Sequence, residues 1–407
     1  MVLVLLDPAK SADPPIKFGS LDAISKNFSE HFLVSKIKIL KQEGHKVILF
    51  AHRHNNFNEC EVVEMPRVSN NFFLQIIKMI LAYCTIIIQC PVTVINFLRF
   101  EKLDGKSFRE RWENLYLGSK ILRRNLDWLH FCFTTATLRK ENIAKSINAK
   151  MGVSLRGYDM NIYPLKNQNC YSDLWNKIDQ VHSISHSLLE KARKYGLDRS
   201  IKQEVIFPAI NTKRFKNMKQ GVPFNYKKTI EILTVARLHW IKGLEYTIEA
   251  MGKLESVNFN YTIIGSGVEY ERLMLVTNQL NLKDKVKLVG YVPNKDIFPF
   301  YEKADLYVQY SLEEGFCNAV LEAQSMGVLT VVSNALGLSE NVVDGKTGWI
   351  VPKREPTLLA RKIESIISME NKKINLIRLN AIDRVKNEFD LSRQKKQFDG
   401  FFNENLF

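Results

Sequence analysis

Ten stretches rich in β-branched and other apolar residues recur along the chain, each followed by a helical pattern. In the first half they are VLVLLD (2–7), KVILFAH (46–52), LDWLHFCF (126–133), AKMGVSLRG (149–157) and QVHSISHS (180–187). In the second half they are EILTVAR (231–237), NYTIIGSG (260–267), VKLVGYV (286–292), DLYVQYS (305–311) and LTVVSN (329–334). Strands that are apolar throughout, with helices between them, belong to parallel sheets covered on both faces. Right-handed crossovers then give doubly wound α/β layers. A chain of 407 residues exceeds the roughly 250–300 at which single cores stop growing, so two Rossmann-like domains are predicted. The junction falls in FPAINTKRFKNMKQGVPFNYKK (207–228), where strands stop and Pro, Asn and Lys accumulate. The first domain is expected over 1–215 and the second over 216–385, with a last helix at about 386–407 packing back on the first. Ligands of such sheets bind beyond the carboxyl ends of the strands. Two sheets facing across a cleft would therefore suit an enzyme that joins two molecules.

Composition narrows the partners. The chain is 45% hydrophobic and 11% aromatic, which excludes disorder and fibrous repeats. Its 58 Lys and Arg against 43 Asp and Glu leave a net charge of +15. That balance implies nucleic acid, phospholipid or nucleotide as partner, or else a basic surface that serves solubility. The six cysteines are scattered without CxxC pairs, so neither a disulfide framework nor a zinc site is expected, and a reducing cytosol is the natural home. VLVLLD lacks a basic leader and a small-residue cleavage site, and reads as a strand rather than an export signal.

Residues 72–98, FFLQIIKMILAYCTIIIQCPVTVINFL, carry Lys78 as their only charge. The length matches a bilayer, but Gln75, Lys78, Gln89, Pro91 and Asn96 interrupt it. Residues 99–124 then hold eight Lys/Arg and four Asp/Glu, a net of +4. Apolar helices beside a basic, aromatic-bearing stretch suit a monotopic surface resting on anionic lipid. Core-packed helices with a solvated basic face are the alternative.

Three segments carry chemistry. In VARLHWIKG (235–243), Arg237 ends a strand and Lys242 and Gly243 precede a helix. Two cations beside a helix start at a sheet edge are what a diphosphate needs, and equally describe an ordinary solvated turn. Gly265 and Gly267 lie between a strand and a helix, which permits close approach of a ligand or simply a tight turn. In SLEEGFCNAVLEAQSMG (311–327), Gly315 directly precedes a helix starting near Asn318, so the amides of Phe316, Cys317 and Asn318 would face an anion. Glu314 lies before that helix. Glu322 lies inside it in an apolar run, where a buried carboxylate needs a partner; a sugar diol would supply one. The sequence holds no D-x-D pair, so no metal is expected.

RLHWIKG, the GSG turn, EGFCNAVLEA (314–323) and DGKTGWIVP (344–352) resemble, in order and spacing, the retaining glycosyltransferases of family 4. NFSEHFLVSKIKILKQEGHKVILF (27–50), LRGYDMNIYP (155–164) and IFPAINTKRF (206–215) extend the resemblance into the first half, toward the subgroup that builds colanic acid and lipopolysaccharide. The resemblance implies the GT-B fold and transfer of a sugar from a UDP- or GDP-sugar to a saccharide or polyprenyl-linked saccharide. The scattered cysteines and the apolar segment 72–98 with its basic neighbour lead to the expectation of a cytoplasmic enzyme, peripheral on the inner face of the plasma membrane. Arg237 and Lys242 match the pair that neutralises the donor diphosphate. Glu314 matches the glutamate that contacts the transferred sugar, and Glu322 the one that holds the ribose hydroxyls. Phe316 to Asn318 match the loop around sugar and phosphate, and Gly290–Tyr291 fall where the base is held. Glu340 matches a carboxylate whose role stays open.

On the acceptor side the resemblance points to Ser29, Glu30, His130, Cys132, Arg156 and Asp159. His130 fits the first histidine of the family's DxxHxHF pattern, while Cys132 stands where the second is expected. That departure puts activity in question. A catalytically weak member, a sugar-nucleotide epimerase of the same fold and, from a different class, a nucleic-acid-binding protein are the rivals. Against the last, the motifs are of pocket type and no known binding module appears.

Overall fold

The protein is described by a computed structural model covering residues 2–4, 17–22, 31–52, 57–215, 229–255 and 257–403. It divides into two compact units. The first comprises residues 1–184, 188–206 and 395–407, and the second comprises 185–187 and 207–394. The change of unit thus comes at 206/207, nine residues before the expected boundary, because Ile210 already bridges to Asp390 and Phe215 packs on Phe298 and Tyr301. The helix Asn371–Glu388 stays with the second unit. Only residues from 395 onward, in the last helix Leu391–Asn403, belong to the first, whose core receives Phe398, Phe401 and Phe402.

The first unit is built on eight strands: β1 (Val2–Val4), β2 (Lys17–Asp22), β3 (Lys46–Ala51), β4 (Glu61–Glu64), β5 (Trp128–Phe131), β6 (Lys150–Leu155), β7 (Gln180–Ser183) and β8 (Lys202–Val205). Their order is β4-β3-β1-β2-β5-β6-β7-β8. All neighbours pair in parallel except β1, which runs antiparallel to β2, β3 and β5. Val2–Val4 of the first apolar run is therefore a strand as expected, but KFGSLD holds the parallel place at the centre. The second unit has β9 (Ile230–Val235), β10 (Phe259–Ile264), β11 (Val286–Gly290), β12 (Leu306–Gln309), β13 (Leu329–Ser333) and β14 (Trp349–Val351), in the order β11-β10-β9-β12-β13-β14, all parallel. Both sheets reverse direction of winding beside their first parallel strand, as doubly wound folds do.

Between β4 and β5 the chain forms three helices. Asn71 caps the first, Phe72–Gln89, by accepting from the Leu74 amide at 3.1 Å. Pro91, which donates no amide, ends that run and begins Pro91–Leu103. Ser107 and Glu110 form a capping box for Phe108–Leu122. The 72–98 run is thus two helices rather than one.

Glycine fixes the loop at the end of β10. A Cβ on Gly265, at φ +146°, would lie 1.8 Å from the Ala236 carbonyl oxygen, and one on Gly267 would lie 2.1 Å from that of Leu238. We expect Gly265→Ala to destabilise the second unit by at least about 2 kcal/mol, read as a lowered thermal midpoint; an unchanged midpoint contradicts the close approach.

Candidate functional site

The second unit gathers its chemistry where β9 and β12 lie side by side. After β9 the chain passes Arg237 and turns through a short 3₁₀ segment, Trp240–Lys242, into Gly243 at φ +60°. A Cβ there would meet the Tyr310 carbonyl oxygen at 2.2 Å, so only glycine lets the β9 loop lie against the end of β12. The result is an ion pair: Lys242 Nζ stands 2.5 Å from Glu314 Oε2, each side chain only 12% exposed. Ser311 donates its hydroxyl to the same oxygen at 3.1 Å. Gln309 Nε2 donates to Ser311 Oγ, and Tyr307 donates to Gln309 Oε1. Behind Glu314, Gly337 approaches so closely that a Cβ would lie 2.3 Å from the Gly315 oxygen.

Arg237 is exposed, and its guanidinium makes no hydrogen bond or ion pair among the described residues. Partial burial lowers the proton affinity of His239, and the nearby charges of Arg237 and Lys242 lower it further. The two cations therefore share one neighbourhood.

One expected role changes, and a second residue already has partners within the protein. Asn341 brackets Cys317: its Oδ1 accepts from the Cys317 amide at 3.0 Å, and its Nδ2 donates to the Cys317 oxygen at 3.1 Å. That amide is consequently spent on the protein rather than aimed at an anion. The Phe316 ring packs against Phe207 and Phe389. Glu322 is 9% exposed and already has protein partners: Tyr301 donates to it at 2.8 Å, and Asn294 also bonds it. Burial pushes the Glu322 carboxyl up to about 7, partly offset by these two donors. Arg214 braces Asn294 through two hydrogen bonds of 2.8 Å.

Gly265 and Gly267 fit the tight-turn reading at their Cβ positions, since they make room for the backbone of 236–238. Gly290 accepts from the Gly265 amide at 2.8 Å, and Tyr291 beside it is 71% exposed. Glu340 accepts the amides of His186 and Ser187 at 2.8 and 2.9 Å. It thereby anchors the segment 185–187 that clusters with the second unit.

In the first unit, Ser29 and Glu30 lie outside the described residues. The other four acceptor-side residues meet at the carboxyl ends of β5 and β6, where His130, Cys132 and Asp159 are buried and Arg156 is half-buried. His130 is fully buried, its Nε2 2.9 Å from both Lys36 Nζ and Ser154 Oγ. Ser154 Oγ continues to His182 Nδ1 at 2.8 Å, and His182 Nε2 to the Ile206 oxygen at 3.0 Å. The carbonyl requires His182 to carry its proton on Nε2, so Ser154 donates to Nδ1 and accepts from His130 Nε2–H. The same His130 Nε2–H is shared between Ser154 Oγ and Lys36 Nζ, and a neutral Lys36 amine accepts it through its lone pair. Burial pushes Lys36 down to about 8, the Cys132 thiol opposing and Arg156 reinforcing the shift. Burial likewise holds both histidines well below their usual range. Cys132 is fully buried and free of any disulfide, and Arg156 Nε donates to its carbonyl at 3.4 Å. Asp159, whose carboxyl burial raises, clasps the loop after β5 by accepting from Thr134 N and from Thr135 N and Oγ1.

Lys36 was not anticipated. It falls in the inward stripe of its helix with Leu33, Ile37 and Leu40, and a lysine at that spacing was the available signal. Asn341 and Gly337 act through long-range contacts, which local spacing does not reveal, whereas Gln309 and Ser311 lie close before Glu314 in sequence, and two polar residues at a strand end were the available signal. Among the described residues no cluster of three His, Cys, Asp or Glu side chains is suited to a metal ion.

Comparison with known proteins adds an independent finding. Residues 216–381 match the family model described as "Glycosyl transferases group 1". A putative colanic acid biosynthesis glycosyltransferase, WcaL, of Escherichia coli is 27% identical over 63% of this chain, and the match spans 64% of that relative's length. An uncharacterized glycosyltransferase of Methanocaldococcus jannaschii is 33% identical over 46% of this chain and 51% of its own. Among solved structures, a glycosyltransferase from Rickettsia africae shares the fold with a TM-score of 0.69 at 20% identity, covering 95% of this chain and 97% of that one. Anabaena HepE in complex with UDP matches at 0.70 and 16%, covering 95% and 99%.

The depressed Lys36 gives a signed expectation. Between about pH 8 and 10.5 the unfolded chain binds a proton on Lys36 that the folded protein does not, so stability rises with pH there. Denaturant unfolding near pH 8 and again near pH 10 should show wild type gaining on Lys36→Met as pH increases. A constant difference contradicts the buried neutral amine.

Proposed function

We propose, from a second half whose residues 216–381 belong to the group 1 glycosyl transferases, that the chain transfers a sugar from a nucleoside-diphosphate sugar to a saccharide acceptor. The setting we infer is surface polysaccharide assembly, with a polyprenyl-linked saccharide as acceptor and the enzyme on the cytoplasmic side of the membrane. The observation that carries this reading is the convergence of Arg237, Lys242 and Glu314 at the carboxyl ends of adjacent strands.

Cleavage of the sugar–phosphate bond leaves new negative charge on the nucleoside diphosphate. Lys242 has three N–H donors and Glu314 takes one, so two are free to turn toward phosphate oxygens. Arg237 adds a planar fork for bidentate contact. Together they supply the charge stabilisation that a metal ion provides elsewhere. Glu314, oriented by Lys242 and Ser311, presents its second oxygen to hydroxyls of the transferred sugar. Glu322 and Asn294 form a polar pair suited to a ribose, with Gly290 and Tyr291 toward the base. The acceptor hydroxyl attacks on the face the diphosphate leaves, and a diphosphate oxygen receives its proton, so anomeric configuration is retained.

Arg237→Ala and Lys242→Ala should each lower turnover by at least about 10²-fold, the usual cost of losing one preorganised donor. Donor hydrolysis over UDP-, GDP- and ADP-sugars identifies the nucleotide. Full activity should survive EDTA, and a strict Mg²⁺ requirement or an inverted product overturns the mechanism.

A further inference from the structure

The helix Phe72–Gln89 has mean hydropathy 1.9 over its length, yet only 6% of it is buried. Phe73, Ile77, Ile80, Leu81 and Ile88 are each more than half exposed. Val92, Ile95 and Leu103 extend the same character along Pro91–Leu103. A contiguous apolar face of this size marks an interaction surface.

The helix is long enough to cross a bilayer by length and composition, but its chain context forbids a crossing. It leaves from β4 and returns to β5, strands of one sheet, so a single crossing would divide that sheet between two sides of a membrane. It is also fastened along its flank, where Tyr83 donates to the Trp112 carbonyl at 2.8 Å and stacks edge-on against its ring at 5.0 Å. The helix therefore lies along a surface.

Charge selects the occupant. At the end of the helix, Gln89, Val63, Lys120, Arg123 and Arg124 line a recess of about 370 Å³. Arg123 is positioned there by a 2.6 Å hydrogen bond to Gln89 Oε1, and Arg124 pairs with Glu61. Exposed Lys120, like Arg99 and Lys102 beside the apolar face, makes no ion pair among the described residues. A second copy of the chain would set this basic border against its own likeness. An anionic bilayer complements both the apolar face and its border.

We propose that the helices Phe72–Gln89 and Pro91–Leu103 lie in the interface of an anionic bilayer, and that Lys120, Arg123 and Arg124 receive the phosphate of a lipid headgroup at its edge. This deepens the location given under the proposed function and is independent of the transfer chemistry. Cosedimentation of the full chain with phosphatidylcholine vesicles, and with the same vesicles containing phosphatidylglycerol, tests it. Binding to the anionic vesicles is expected, weakening as salt is raised. Ile77→Glu with Ile88→Glu should lower that binding at least about tenfold. Lys120→Glu with Arg123→Gln should lower it about tenfold and abolish the preference for anionic over neutral vesicles. All four side chains lie outside the core, so thermal midpoints and donor hydrolysis should stay at wild-type values, which separates failure here from failure of the transferase reading. Absence of vesicle binding overturns the proposal. So does binding indifferent to both variants, or an apolar-face variant that converts a dimer to a monomer in light scattering while leaving vesicle binding intact.

Discussion

The Lys242–Glu314 ion pair is the contact on which the second unit's site depends. Two opposite charges with little solvent access are tolerated only when each has the other and further hydrogen bonds complete their valence. Ser311 supplies one of those bonds, and Gln309 and Tyr307 hold Ser311 in turn. Gly243 and Gly337 are the backbone conditions of the same pair. One lets the lysine loop touch the end of β12, and the other lets the helix after β13 close on the glutamate loop. Removing either charge would leave its partner partly buried and uncompensated, so the pair constrains the loops as well as the chemistry.

The first unit repeats the winding of the second but spends its polar residues differently. Its line of Lys36, His130, Ser154 and His182 contains no carboxylate, and Asp159 is committed to the loop after β5. The ring faces of Phe398 and Phe402 lie about 5 Å from the Lys36 amine and favour its cation, but burial outweighs them and lowers its proton affinity. His130 and Cys132 therefore act, as placed, through their hold on the strand ends rather than through exposed atoms.

The parts of this architecture that were legible in the sequence are those with a one-dimensional signature. Central strands such as β9, β10, β12 and β13 are buried on both faces and show as continuous apolar runs. Besides central β2, whose KFGSLD lacks a continuous apolar run, three strands went unread, β4, β8 and β14, and these lie at sheet edges. The first two are polar and half-solvated, as EVVE and KQEV show. The third, WIV, is only three residues long and follows a turn. The same division holds at the site. Arg237, Lys242, Glu314 and Glu322 stand out by residue type beside strand ends and a helix start. The partners of Glu322 lie twenty or more residues away at Tyr301 and Asn294, and Asn341 meets Cys317 across twenty-four residues. Spacing cannot announce such contacts, and only the assumption of an external diol made Glu322 look unpartnered.

The segment between β4 and β5 shows where the fold's own requirements end. A crossover between parallel strands needs one helix to cover the sheet, and Phe108–Leu122 fills that role, with Leu115, Tyr116, Ile121 and Leu122 buried. Its two predecessors contribute far less to the interior: Phe72–Gln89 buries only Ile86, and Pro91–Leu103 buries Val94, Phe97 and Glu101. Side chains as apolar as Phe73 and Ile88 on a water-facing surface bring no folding benefit and raise the risk of aggregation. Their retention beside unpaired cations is therefore explained by a partner outside the chain, one that is apolar in its interior and anionic at its boundary.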